Sequence, residues 1–331
     1  MAVLVTGGAG YIGSHAVLAL IDAGERVVVL DDLSTGNRDT VHPAARLIVG
    51  DVADAGLILR IVAEYGIRDV VHFAAKLIVP DSVADPLGYY LANTVKTRAL
   101  LDAATKAGVS RYVFSSTAAV YGTPAENPVA EDAPTTPISP YGSSKLMSEW
   151  MLRDASAAHG ISYVTLRYFN VAGADPAKRS GQMSRVSTHL IKVASEAATG
   201  KRARLDVYGD DYPTSDGTCV RDYIHVTDLA AAHVDALRHL RNGGRNLTLN
   251  CGYGRGYSVL EVIEAVKRIS GVDFPVHVSS RRAGDPAALV ARAERIRAEL
   301  GWQPKYDDLS TIVAHALAWE FTIPAKSSAA A

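Results

Sequence analysis

The sequence predicts an α/β protein, a doubly wound parallel sheet carrying a smaller C-terminal domain, and two observations predict it. Over the first half, short β-branched runs alternate with amphipathic stretches of helix length. The first of these runs also passes without a break into a glycine-spaced turn and then a helix. At 331 residues the chain has room for about two domains.

The runs Ala2 to Thr6, Arg26 to Leu30, Leu47 to Val49, Asp69 to Ala74, Arg111 to Ser115 and Ser162 to Leu166 read as strands. Between them, Ile12 to Ala23, Ala55 to Tyr65, Pro86 to Lys106 and Pro140 to His159 read as helices, several closed by a glycine: Gly24, Gly66, Gly108 or Gly160. Strands and helices in strict succession need right-handed crossovers, which place helices on both faces of a parallel sheet. The expected first domain is 1–170. From 171 to 321 the rhythm changes, with irregular stretches at Ala174 to Ser187 and Tyr208 to Asp222. Helical patterns return near Val226 to Leu240, Val259 to Ile269 and Leu309 to Glu320, with a strand at Asn246 to Asn250. The segment at about 226–250 is expected to rejoin the first domain, and 322–331 to form a frayed tail. Long irregular segments in a compact protein usually bind something.

Composition excludes several classes. Hydrophobic residues at 48% and charged residues at 21% supply an ordinary globular core. A net charge of -1 gives no field to attract nucleic acid or an anionic membrane, so an anionic ligand must be caught locally. Cys219 and Cys251 stand far apart and form neither a disulfide framework nor a paired-cysteine zinc motif. The ten histidines contain no His-Glu-x-x-His, and no metal site is predicted. No basic leader precedes the first apolar run and no run approaches membrane-spanning length, so the expected compartment is the cytoplasm.

The turn after the first run is Thr6-Gly7-Gly8-Ala9-Gly10-Tyr11-Ile12-Gly13. Gly7, Gly10 and Gly13 keep the spacing at which the first glycine permits the tight turn, the second lets backbone approach a pyrophosphate and the third lets helix and strand pack closely. The helix N-terminus then offers free N–H groups and a positive dipole end to the phosphates. Asp31 ends the second strand, eighteen residues past Gly13. A carboxylate there accepts hydrogen bonds from an adenosine ribose and repels a 2'-phosphate, which favours NAD over NADP. Asp51 closes the third strand; an adenine contact and a plain turn aspartate are both open for it.

The stretch Ser139-Pro140-Tyr141-Gly142-Ser143-Ser144-Lys145 puts a phenol and an ammonium one helical turn apart, behind an N-cap serine and a proline suited to the first helical position. A fixed positive charge stabilises a phenolate, yet a tyrosine must fall roughly three units to act as a base near neutral pH, more than one lysine supplies. Alone, the pair is a weak signal.

Together with the glycine loop it is not alone. The stretches "VTGGAGYIGSH", "HFAA", "FSSTAAVYG", "SPYGSSK", "RYFN", "DGTCVRDYIHV" and "RRAGD" resemble the extended short-chain dehydrogenase/reductase family over Ala2 to about Phe321. Within it the likeness is to the UDP-glucose 4-epimerases. The resemblance implies a Rossmann domain binding NAD, a smaller domain binding a UDP-sugar, and a homodimer. It implies that Gly7, Gly10, Tyr11, Ile12, Gly13, Asp31, Asp32, Asp51, Val52, Phe73, Ala74, Ala75, Asn93, Ser115, Tyr141, Lys145 and Tyr168 surround NAD. Tyr141, Lys145 and Thr117 would be catalytic. Thr117, Asn170, His189, Leu190, Tyr208, Arg221, Arg282, Asp285 and Leu289 would face the substrate. Chemistry agrees: two arginines neutralise a diphosphate, Tyr208 can lie against a uracil, and Asp285 can accept ribose hydroxyls. Surface ion pairs for the arginines and core packing for Tyr208 are the plainer readings.

The implied reaction inverts C4 of the sugar. Lys145 and a positive nicotinamide ring would favour phenolate at Tyr141, Thr117 would orient the 4-hydroxyl, and hydride would leave for NAD and return on the other face. The related 4,6-dehydratases carry an Asp-Glu pair after the threonine and the related decarboxylases keep a glutamate in that segment. Here Thr117 is followed by Ala118-Ala119-Val120-Tyr121-Gly122, so redox without elimination is expected. Epimerases of another UDP-sugar, an N-acetylhexosamine or a pentose, and an NAD-sensing scaffold on the same fold are the alternatives. The sequence departs from the epimerase pattern at Gln182 (commonly Glu), Lys192 (commonly Pro), the order Lys76-Leu77, and Leu289, where a tyrosine or a small residue is common.

Overall fold

A computed structural model describes residues 2–184, 187–282 and 284–323. Seven strands form one parallel sheet, ordered β10-β6-β5-β4-β1-β2-β3. They are β1 (Ala2–Thr6), β2 (Arg26–Asp31), β3 (Arg46–Val49), β4 (Asp69–His72), β5 (Arg111–Thr117), β6 (Ser162–Tyr168) and β10 (Leu247–Cys251). The crossover helices are α1 (Tyr11–Asp22), α2 (Ala55–Tyr65), a segment at 79–106 and α6 (Pro140–His159). That segment contains α3 (Val79–Ala84), α4 (Pro86–Tyr89), one π-helical stretch (Tyr90–Val95) and α5 (Lys96–Lys106).

Alternation along β1 builds both layers of core, because successive side chains of a strand point to opposite faces. Val3 and Val5 pack with α1 and with α8 (Val226–Arg241), through Val17, Leu20, Leu229, Ala232 and Ala236. Ala2 and Leu4 pack on the other face with Ile58, Ile61, Leu100 and Leu152 from α2, α5 and α6. Both faces are therefore apolar, and each fully buried aliphatic side chain contributes about 1.5–3 kcal/mol. α6 starts as its sequence dictates: the Ser139 side chain accepts from the Gly142 N–H at 3.2 Å and Pro140 holds the first position. It stops at Gly160, whose φ of 74° is the left-handed cap.

The remaining elements form a smaller layer. β9 (Val220–His225) is flanked by β11 (Gly256–Ser258), β13 (Ala288–Leu289) and, further along, β7 (Asn170–Ala172). β8 (Leu205–Tyr208) pairs with β12 (Val276–Ser279). α7 (Leu190–Ala198), α9 (Val259–Ser270) and α11 (Leu309–Glu320) pack on one another around Ile191, Val262, Val266 and Ile312, and α10 (Glu294–Leu300) lies against β10. The chain after 225 returns to the large sheet, α8 beside α1 and β10 beside β6.

The sequence expectation of a doubly wound parallel sheet is met, with most boundaries within a residue or two. The short β7, β8, β9 and β11–β13 and helices α3, α7 and α10 went unread, because runs of two to nine residues carry too little periodicity. Strand β9 runs through the end of the stretch read as irregular up to Asp222. Of the expected tail at 322–331, residues 324–331 lie outside the described ones, as do 185 and 186 of the expected irregular stretch up to Ser187.

Several buried ionisable groups make stability depend on pH. Burial pushes His15 and His233 down to about 4 and His72 and His225 down to about 3. Their folded pKa values lie below the free value, so under about pH 6.5 the unfolded chain binds protons that the folded chain refuses, and stability is lost as pH falls. Asp222, pushed up to about 6 by burial, works in the opposite sense between its unfolded value and about 6. Burial also lowers His189 and His315 and raises Asp31, Asp228 and Asp235, and the six histidines, which titrate near pH 6.5 when free, outweigh the four aspartates. The melting temperature, read by calorimetry, should therefore fall by several degrees between about pH 7 and pH 5; a level or rising value would show that these rings are not held neutral.

Candidate active site

Every parallel strand of the large sheet ends at the same edge, and the expected cofactor residues sit there, where ligands of such sheets bind. Gly7 to Gly13 follow β1, Asp31 ends β2, Asp51 and Val52 follow β3, and Phe73, Ala74 and Ala75 follow β4. Ser115 and Thr117 end β5, Tyr168 ends β6, and Asn170 opens β7.

The β1–α1 turn fits a dinucleotide pyrophosphate. A Cβ at Gly13 would lie 2.1 Å from the Gly7 carbonyl oxygen, and one at Gly7, where φ is 72°, 2.6 Å from the Ala74 nitrogen. At Gly10 it would meet nothing nearer than 3.3 Å, so the outer side of the turn is an open cradle below the start of α1. Asp31 is buried, with one oxygen accepting from the Ala9 N–H and the other from the Leu33 N–H, each at 2.9 Å. Each oxygen keeps lone-pair capacity for a ribose hydroxyl. Asp32 is exposed and bonds Ser34 instead. The Tyr11 hydroxyl donates to the Gly173 carbonyl at 2.7 Å, and the Phe73 ring packs on His233. Ile12, the second residue of α1, is partly buried and packs against the core.

Two expected cofactor residues are engaged within the protein. Both amide hydrogens of Asn93 are used, on the Lys76 carbonyl (2.9 Å) and Ser144 Oγ (3.0 Å), while its oxygen accepts from the Lys76 N–H (2.8 Å). Asn93 therefore ties the loop after β4 to α6, and the π-helical stretch that carries it aims it there. Asp51 pairs with Lys96 at 2.5 Å and also caps the Ala53 N–H.

On α6, Tyr141 and Lys145 are both buried and share a face. Lys145 Nζ donates to the Ser115 carbonyl at 2.9 Å, and Ser115 Oγ lies 2.7 Å from the Tyr168 hydroxyl. Burial lowers the Lys145 pKa to about 8. Burial raises that of Tyr141, against the lowering effect of the Thr117 hydroxyl. In the chain alone burial prevails, and the phenolate-favouring effect expected of Lys145 is not seen at Tyr141. Desolvation disfavours a lone charge at this depth, which a nearby positive charge would offset.

The expected substrate residues approach from the smaller layer. Arg282 lies with its guanidinium carbon 3.6 Å from the centre of the Tyr208 ring and pairs with no carboxylate among the described residues. Arg221 reaches Asp285 at 3.6 Å, so two residues given separate ligand roles by the resemblance face each other. The neighbouring Asp222 points the other way, as alternation along β9 requires, and accepts from the backbone N–H groups of Tyr253, Gly254 and Ala291. Leu289 sits opposite Arg221 across the strands and is buried in a cluster with Ala118, which follows Thr117 in the chain, Leu146 of α6 and Phe169. His189 caps α7, which Leu190 opens, and His189 Nδ1 lies 2.7 Å from Gln182 Nε2.

Two departures acquire partners: Gln182 contacts His189, and Lys192 forms a buried ion pair with Glu320 of α11. Sequence reasoning missed Glu149, Arg167 and Ser116, a buried hydrogen-bonded group directly behind Lys145. The signal was present as Tyr141, Lys145, Glu149, spaced four and four.

Residues 3–252 match the model of the NAD dependent epimerase/dehydratase family. The chain belongs to that family. It is 57% identical to a UDP-glucose 4-epimerase of Azospirillum brasilense over 318 residues, 96% of this chain and 91% of the relative. Among solved structures of the family it is similar to a UDP-glucose 4-epimerase from Brucella ovis in complex with NAD, at 45% identity and a TM-score of 0.92, covering 96% of this chain and 97% of that one. It also resembles the UDP-Glc/GlcNAc 4-epimerase from Campylobacter jejuni, at 46% identity and a TM-score of 0.84, covering 97% and 99%.

Proposed function

We propose that the protein interconverts UDP-glucose and UDP-galactose, using NAD that it keeps bound throughout. The observation that carries this reading is that the Thr117 hydroxyl at the end of β5 bonds the Tyr141 phenol while Lys145, one turn along α6, bonds the Ser115 carbonyl of the same strand, with no carboxylate at 118–122 to drive elimination. NAD, held by the β1–α1 cradle and Asp31, would supply a reversible hydride acceptor, so that C4 of the sugar loses hydride from one face and regains it on the other. Tyr141 takes the proton of the 4-hydroxyl and later gives it back; Thr117 orients that hydroxyl, since a hydroxyl both donates and accepts. Lys145 supplies a fixed positive charge, and Asp31 receives the adenosine ribose. Residues 1–170 with 226–250 would form the NAD unit and the rest to 321 the UDP-sugar unit.

On the substrate side, Arg282 and Arg221 would hold the diphosphate and Tyr208 would present to the uracil the ring face that Arg282 leaves free. Asp285 would exchange its contact with Arg221 for ribose hydroxyls, with Asn170, His189 and Leu190 completing the wall. Purified protein incubated with UDP-galactose should yield UDP-glucose without net NADH. Tyr141→Phe should lower turnover by about two to four orders of magnitude while UDP binding, read by calorimetry, stays unchanged. Stoichiometric NADH with an oxidised sugar would overturn the reading.

Sugar range falls to Leu289, an apolar wall without a hydrogen bond to offer. Such a wall discriminates a methylene-sized misfit by only about ten- to two-hundred-fold. N-acetylated UDP-hexosamines should therefore turn over detectably but more slowly; Leu289→Ser should speed them and Leu289→Tyr abolish them. A kcat/KM ratio that does not move across these variants would remove Leu289 from the pocket.

The protein acts as a homodimer in this reading. Leu87, Leu91 and Val95 recur every fourth residue along 86–106 and are 78%, 54% and 53% exposed, with Trp150 of α6 at 47%. Apolar side chains this exposed along one helical face suit a second copy of the same chain. Light scattering should give a dimer, and Leu87→Asp with Leu91→Asp should give a folded monomer; an unchanged mass would place the interface elsewhere.

A further inference from the structure

Tyr141, Lys145 and Glu149 succeed one another at four-residue intervals along α6, so the third member of the row is a buried carboxylate that the proposed reaction leaves without a role. Its Oε1 accepts from Ser116 Oγ at 2.5 Å and from Arg167 Nε at 3.0 Å, and its Oε2 from Arg167 Nη2 at 2.6 Å. Arg167 Nη1 donates to the Tyr121 hydroxyl at 3.0 Å and the Glu131 carbonyl at 3.1 Å. The Tyr121 hydroxyl in turn donates to Asn250 Oδ1 at 2.7 Å. The network thus joins α6 to β5, β6 and β10. Adjacent residues of β5 divide the row between them: the Ser115 carbonyl takes Lys145 and the Ser116 hydroxyl takes Glu149.

A buried ion pair is weak grounds for stability, since apolar residues of the same volume usually serve as well. Its placement, one turn behind the lysine of the reaction, points to another use. We propose that Glu149, locked by Ser116 and Arg167 one helical turn behind Lys145, is a positioning residue that keeps the Lys145 ammonium, seated on the Ser115 carbonyl, in its charged form. The inference rests on the function proposed above.

The surroundings of Lys145 leave this task to Glu149. From β4 it meets His72, which burial and Lys145 itself keep neutral near neutral pH; from β5 it meets the Phe114 ring, at 5.1 Å, and Ser115. From β6, the Tyr168 hydroxyl is taken up with Ser115 and Arg167 with Glu149. On its own helix stand Tyr141 and Glu149. Burial drives the lysine down to about 8, and Glu149 is the group that opposes this. Without that carboxylate, Lys145 would lose its proton nearer neutrality, and Tyr141 the charge that favours its phenolate.

The test titrates Lys145 directly, by NMR of the NAD-bound protein with isotope-labelled lysine side chains, using Lys145→Met to assign the signal. Glu149→Gln should move the inflection down by about one pH unit or more. Glu149→Asp, which keeps the charge and its pairing with Arg167 but withdraws it by one methylene, should move it less in the same direction. Ser116→Ala, which keeps the charge, should leave the inflection near its original position. In kcat/KM for UDP-galactose the alkaline limb should shift in the same order, with KM nearly unchanged. An inflection that stays put in Glu149→Gln, or in Glu149→Asp should the amide variant not fold, overturns the proposal, even if melting temperatures fall. Wild-type turnover of UDP-galactose checks the proposed function separately, since the NMR titration needs no reaction.

Discussion

The contact between the Gly7 carbonyl and the α-carbon side of Gly13 fixes how closely α1 approaches β1, and much else follows from that closeness. With α1 drawn onto the sheet, its N-terminus opens at the carboxyl edge, and α8 can pack beside it over Val3 and Val5. The turn continues into a bond from the Ala9 N–H to Asp31, so the second strand's carboxylate is set by the same turn. Thr6 reaches His72 of β4 at 2.6 Å, and His72 reaches Thr97 at 2.9 Å, which carries the registration from β1 to α5. A polar thread of this kind beneath a ligand edge holds several strand ends in fixed relation at little entropic cost, because every member is already buried and bonded.

Charge placement follows a second constraint. The chain has almost no net charge to spend on attraction, so the charged groups of the site are held individually and deep. Burial then works against them: it lowers Lys145, though only to about 8, so that the ammonium persists near neutrality, and it raises Tyr141, which keeps the phenol neutral. The arginines of the smaller layer are held differently, Arg282 against a ring face and Arg221 near a carboxylate, so that each is oriented within the chain itself.

Much of the larger sheet was legible from the sequence because its signals are local. Alternating runs, the N-cap at Ser139, the glycine closing α6 and the spacing of Gly7, Gly10 and Gly13 act over a few residues each, and each survives into the structure. The smaller layer was harder. β13 is two residues long and β7 three; they exist because β9 offers them a partner, a circumstance that no window of sequence displays. The partners of Asn93 were not legible, because a π-helical stretch turns its amide onto Lys76 and Ser144.

By itself the sequence determined the class of fold, the glycine cradle, the acid at the end of the second strand and the tyrosine-lysine pair, since backbone propensity and hydrophobic period are properties of neighbouring residues. The tertiary structure alone decided which charges meet. Arg221 faces Asp285 across a gap of sixty-four residues, Lys192 finds Glu320 on the last helix, and Glu149 finds Arg167 on β6. The physical reason is range: a carboxylate's partner is set by which elements the core packs together, and its protonation by how much water that packing excludes. Neither quantity is written in any short stretch of the chain.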